Sequence, residues 1–193
     1  MWIRVVQLVL SCAVLGVGVA LLLTPALGSD GFSTMVSGLS LSLDAPFLLV
    51  NVVVGVILVG LAWLKGRRPA LGTVVQPVVT GTVVTAVLEL LSAPSGLVAR
   101  SVMLLAGFAV VAVGVAGYLG SDTGSGPAEA LSTAYDPPIP FRWSYSVFQG
   151  ASALLGWLLG AAVGPGTVLV VLLLGPAVDL VGRLSPRLRV HAA

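Results

Sequence analysis

Apolar residues in this chain come in runs close to twenty, and the polar residues collect at the breaks between them. Six runs, at 3–23, 46–64, 73–91, 97–119, 143–163 and 167–184, are long enough to cross a hydrocarbon core about 30 Å thick. Two shorter segments behave differently. Over 31–43, Phe32, Met35, Val36 and Leu39 form one helical stripe and Ser33, Ser37 and Ser40 another, with Asp30 placed to cap the start. At 1.5 Å per residue this helix reaches only about 20 Å, so it lies on the membrane face or dips in and stops. A second short helix runs from Pro127 to about Tyr135. There Gly126 caps, Pro127 suits the first helical position, and Glu129 sits in the first turn, where the helix dipole favours a carboxylate.

The two short helices belong to a duplication. At an offset of 96, Val17, Gly18, Val19, Ala20, Leu23, Gly28 and Ser29 meet Val113, Gly114, Val115, Ala116, Leu119, Gly124 and Ser125. At an offset of 94, Trp63, Leu64, Gly66, Gly72, Thr73, Val74 and Gly81 meet Trp157, Leu158, Gly160, Gly166, Thr167, Val168 and Gly175. The predicted fold is therefore an all-α membrane protein of six transmembrane helices in two three-helix repeats, 1–93 and 94–184, followed by a basic tail, 185–193. Each repeat carries one short non-spanning amphipathic helix after its first span. Three spans is an odd number, so the second copy enters the membrane from the opposite side, an inverted repeat.

Composition agrees: at 58% hydrophobic and 8% charged, the chain has too little charge to cover a soluble domain of this size. The net charge of +2 says little, but its placement says more. With the N-terminus inside, Arg4, Lys65, Arg67, Arg68, Arg142, Arg183, Arg187 and Arg189 are cytoplasmic, and Arg100 alone is outside. The first run could pass for a signal peptide, but its counterpart at 97–119 lies mid-chain, which argues for a retained helix. Cys12 sits in an apolar run and His191 near the end, so neither a disulfide framework nor a metal site is expected.

No enzyme constellation is visible: no nucleophile with a base, no paired metal ligands, and a glycine-rich stretch at 120–126 that lacks the Lys of a phosphate loop. No cofactor and no nucleic acid partner is expected. The candidate binding residues lie instead at the two glycine-rich breaks, Ser29, Asp30 and Ser33 in the first, Ser125, Gly126 and Glu129 in the second. Irregular backbone at membrane depth is tolerated only when buried in protein or facing water, and helix N-termini offer free N–H groups to anions or polar ligands. If the short helices dip inward these residues form a paired site; if flat, they are interfacial anchors. Asn51, Gln76 and Gln149, within spans, line a path or bond neighbouring helices. Asp179, well inside the last run, either faces a wet interior or pairs with Arg183. Gly114, Gly117, Gly156 and Gly160 read as close-packing positions.

The turn Thr123-Gly124-Ser125-Gly126-Pro127-Ala128-Glu129, the later Trp157-Leu158-Leu159-Gly160, and the run Gly164-Pro165-Gly166-Thr167 together resemble the bacterial YczE/YitT-like integral membrane proteins. The resemblance extends from about Gly16 to Leu184. The first copy departs from the family's Pro, aromatic, Asp triplet, having Gly31, Phe32 and Ser33, which argues against an acidic role there. The resemblance implies a permease-like protein of the bacterial cytoplasmic membrane and supplies no substrate. The expected function is permeation of a small polar or anionic solute, with the lipid bilayer as surroundings and both termini cytoplasmic. The rival is a non-transporting accessory subunit whose glycine-rich faces pack against another membrane protein or a second copy.

Overall fold

A computed structural model describes residues 2–45 and 47–185; Pro46 and the tail with Arg187, Arg189 and His191 lie outside them. The described residues form eight helices: α1 (Trp2–Leu23), α2 (Gly31–Leu43), α3 (Phe47–Leu64), α4 (Leu71–Leu90), α5 (Leu97–Leu119), α6 (Pro127–Ala134), α7 (Phe141–Leu158) and α8 (Pro165–Leu184). α2 begins where expected, with the Asp30 carboxylate accepting the Ser33 N–H at 2.9 Å. α7 differs from expectation, beginning directly after Pro140 and stopping at Leu158 instead of 163. Its end is set by Gly160, whose φ of 93° is left-handed: the Ala161 N–H returns to the Gly156 carbonyl and the Gly160 N–H to that of Trp157, both at 2.9 Å. Gly66, with φ of 92°, closes α3 through the matching bonds from Arg67 to Ala62 and from Gly66 to Trp63. The Trp-Leu-x-Gly motif is thus a helix stop in both halves. Gly160 is accordingly a cap, with nothing near its missing Cβ, and not the packing position expected from its spacing.

α1, α4, α5 and α8 are long and apolar enough to cross a membrane, and α2 and the 49–64 stretch of α3 are shorter apolar helices. α7 has the length but is punctuated by Arg142, Ser144, Ser146, Gln149 and Ser152. α1 and α5 cross at the centre, so closely that a Cβ on Gly18 would lie 2.7 Å from the Val111 nitrogen and one on Gly114 2.7 Å from that of Leu15. α4 packs on α1 and α8 on α5, while α2 lies along α7 and α6 along α3. The backbone recurs at the sequence offsets. Ala26 and Asp122 both have φ of 54°, Gly28 and Gly124 have 102° and 106°, and the 2.7 Å bond from Gly72 N–H to Thr123 is matched by a 2.8 Å bond from Gly166 N–H to Leu27.

Polarity is inside out. On α7, Tyr145, Gln149 and Ser152 are buried, whereas Trp143, Val147, Leu154 and Trp157 are exposed. Val56, Val102 and Leu172 are likewise exposed on α3, α5 and α8. Such a surface is stable against lipid and not against water. Arg100 lies at the start of α5, whereas Arg4, Lys65, Arg67, Arg142 and Arg183 gather at one end of the bundle. There Arg4 meets Asp122 at 3.1 Å, Arg67 donates to the Thr133 and Asp136 carbonyls, and Arg142 and Arg183 flank Asp179.

Candidate functional site

α2 and α6 neither lie flat against the bundle nor run its full length. Gly31 abuts the Gln149 carbonyl near the middle of α7, Gly38 abuts Gly156, and the Ser42 hydroxyl donates to the Leu159 carbonyl at the far end of α7. α6 mirrors this course: Pro127 packs on Gly55 in the middle of α3, and Arg67, just past the end of α3, donates to the Thr133 carbonyl at 3.1 Å. The two N-termini therefore meet inside the bundle and the two C-termini point to opposite ends.

A cavity of about 240 Å³ lies where they meet, and all eight helices or the residues capping them contribute to its wall. Asp30, Phe32 and Ser33 come from the start of α2, Glu129 from α6, Asn51 from α3, Gln76 and Thr80 from α4, and Tyr145 from α7. The rest of the wall is largely apolar, including Val19, Val111, Val115 and Leu174. Glu129 is only 3% exposed. Its Oε1 accepts the Tyr145 hydroxyl at 3.3 Å, and its Oε2 accepts no hydrogen bond. The Tyr145 hydroxyl in turn accepts from Gln149 Nε2 at 2.9 Å, and Gln149 Oε1 accepts the Phe32 N–H at 3.1 Å. One relay of side chains thus joins the first turn of α2 to the carboxyl of α6. On this non-spanning helix, burial raises the Glu129 carboxyl to about 7, opposed by the hydroxyls of Tyr118 and Tyr145.

The helix starts are already occupied by the chain's own groups. Ser33 N–H goes to Asp30, Phe32 N–H to Gln149, and Gly126 N–H to the Tyr118 hydroxyl at 3.3 Å. Two carboxyl groups face the cavity and, among the described residues, no Lys or Arg lines it. Three of the donors that an anion would use are thus taken, and the carboxyl groups give the cavity the opposite sign.

Of the residues expected from sequence, Asp30, Ser33, Asn51, Gln76 and Glu129 line one cavity, and Gln149 stands behind it in the relay. Gly126 is a spacer: a Cβ there would collide with the Gln76 amide. Ser29 and Ser125 bond locally, to the hydroxyls of Thr34 at 3.3 Å and Thr133 at 3.0 Å. Asp179 is not brought to the cavity; it pairs with Arg183 at 2.9 Å and Arg142 at 3.4 Å at the basic end. Tyr118 and Tyr145 are absent from the sequence reading. The available signal for Tyr145 was its spacing of four from Gln149, which puts both on one helical face.

Residues 2–183 match the family of unknown function DUF6198. A relative in Haemophilus influenzae, described as an uncharacterized protein, is 27% identical over 191 residues, a match covering 94% of this chain and 84% of the relative. No solved structure matches. Because the family match takes in both glycine-rich breaks and every helix around the cavity, this polytopic membrane protein belongs to the DUF6198 family of unknown function.

Proposed function

We propose that the protein is a permease of a bacterial cytoplasmic membrane, built from six spans as two inverted repeats, 1–93 and 94–184, and that its solute is small, polar and positively charged. The observation that carries this reading is the cavity at the meeting point of two half-length helices, with Asp30 and Glu129 facing it and no basic residue among the described residues of its wall. Discontinuous helices that meet near the midplane between inverted repeats are the recurrent way in which transporters hold a solute. The paired backbone angles and loop bonds support the repeat, and the basic end supports a cytoplasmic location for both termini. The YczE/YitT-like resemblance agrees with a permease. A cation takes the place of the anion expected from free helix N-termini, because three of their N–H groups are capped from within and two carboxyl groups face the cavity.

The test is flux into proteoliposomes of purified protein, with methylammonium and rubidium set against acetate and phosphate. Saturable uptake of a cationic solute, lost in Glu129→Gln and kept in Asp179→Asn, is the expected result. Well-folded protein that carries none of the panel, isolated from membranes with a partner at fixed stoichiometry, would favour the accessory-subunit reading. That rival is weakened by the glycines themselves, since Gly18, Gly38, Gly114 and Gly156 are used in the chain's own packing.

A further inference from the structure

The two halves are alike in sequence and unlike in packing at one place. α7 lies along α8, where a Cβ on Gly175 would collide with the Arg142 carbonyl and come within 3.0 Å of the Ser146 hydroxyl. At the offset of 94 the corresponding helices are α3 and α4, which scarcely touch. Gly81, the counterpart of Gly175, has nothing within 4 Å of the place its Cβ would take. Gly81 is also exposed and lines the cavity with Val84 and Asn51. The cavity therefore reaches the surface between α3 and α4. Around that mouth the surface is apolar, with Val52 at 52%, Val56 at 67% and Val78 at 62% exposure, so it faces hydrocarbon.

The cavity wall combines apolar, aromatic and acidic groups. Val19, Val84 and Val115 make much of its wall apolar, Phe32 and Tyr145 add aromatic faces, and Glu129 brings a buried carboxyl with Oε2 unbonded among the described residues. An apolar wall suits an apolar body, while a carboxyl with aromatic neighbours suits a positive head. At about 240 Å³, slightly below the usual range of ligand pockets, the cavity suits a body about the size of one aromatic ring. We infer that the solute is a small amphipathic organic cation, an amine with an apolar body, that enters sideways from the bilayer between α3 and α4. This rests on the permease reading above and narrows its solute class.

The test is binding of radiolabelled benzyltrimethylammonium to the full-length protein in lipid nanodiscs. Benzoate, benzyl alcohol and tetramethylammonium serve as competitors that remove the positive charge, any charge, and the apolar body respectively. Saturable binding that none of the three displaces efficiently is expected, with affinity falling by about tenfold or more in Glu129→Gln, since a charge-assisted contact is lost. Asp30→Asn, which keeps a capping side chain, provides a second charge variant if Glu129→Gln does not fold. Gly81→Phe directs its ring into open space, so it should fold normally and slow association by about tenfold or more by narrowing the mouth. Equal competition by benzoate or by tetramethylammonium, or the absence of binding, would overturn the solute class. Unchanged association in Gly81→Phe would overturn the lateral route. Flux of methylammonium or rubidium without benzyltrimethylammonium binding would sink this inference and leave the permease standing, whereas no flux and no binding would remove both.

Discussion

Glu129 is the residue on which the site turns, because its carboxyl is buried with no cation among the described residues beside it and is met by the tyrosine hydroxyls, Tyr145 at 3.3 Å on Oε1 and Tyr118. Tyr145→Phe strands both Glu129 and Gln149 Nε2, and should lower stability by about 1–3 kcal/mol, the usual cost of buried polar groups left unpaired. Thermal unfolding of the detergent-solubilised variant measures this. The groups with electrostatic influence on Glu129 are Cys12 on α1, Asp30 ahead of α2, Tyr118 on α5 and Tyr145 on α7. Burial moves its carboxyl from an ordinary 4.5 to about 7, so the folded state favours the proton. The sign follows: the stability linked to this group is fully present below 4.5 and is lost as pH rises through 7. Comparing unfolding temperatures at about pH 5 and about pH 8, wild type should lose more than Glu129→Gln, and parallel curves would place the titration elsewhere. Asp179 is the contrasting acid. Its ion pairs are partly solvated, so Asp179→Asn should change stability by less than about 1 kcal/mol.

At the scale of elements, α2 is held by contacts that only glycine permits. Gly31 meets the Gln149 carbonyl, Gly38 meets Gly156, and Gly156 meets the Thr34 carbonyl, so two backbones touch along most of the short helix. Small residues at such crossings let helices associate in lipid, where the hydrophobic effect offers little drive. Gly156→Ala should therefore destabilise by about 1–3 kcal/mol, the range for an added methyl without room. Gly60→Ala, on α3 with nothing near its missing Cβ, should be neutral or stabilising by up to about 1 kcal/mol through helix propensity. Retention of a monodisperse peak after heating compares the two, and equal losses would show that the α2–α7 crossing is not tight.

At the scale of the whole molecule, the proposed inverted arrangement would put the ends of α2 and α6 on opposite membrane faces. In a Cys12→Ala background, Ser42→Cys beyond the middle of α2 and Ile139→Cys after α6 should react with an impermeant thiol reagent from opposite sides. Both positions are exposed. Ser42→Cys should label from outside and Ile139→Cys from the cytoplasm, because the latter lies at the end that carries Arg4, Lys65, Arg67 and Arg142. Labelling of both from one face would end the inverted-repeat reading and the permease with it.

The sequence by itself determined what depends on neighbours along the chain. Twenty-residue apolar runs, the Asp30 cap and Pro127 at a helix start yielded the helices and the membrane class, and the offsets of 96 and 94 suggested the repeat, since each is a matter of local periodicity or spacing. Tertiary structure decided whatever depends on residues far apart in sequence. Whether α2 lies flat or dips depends on Gly31 finding Gln149, which no periodicity records. The sign of the cavity depends on Asp30 and Glu129 sharing it while Asp179 is drawn to Arg142 and Arg183. The open seam at Gly81 and the closed one at Gly175 sit in matching sequence, so only packing could tell them apart: similar helices in lipid can pack tightly or part with little difference in free energy.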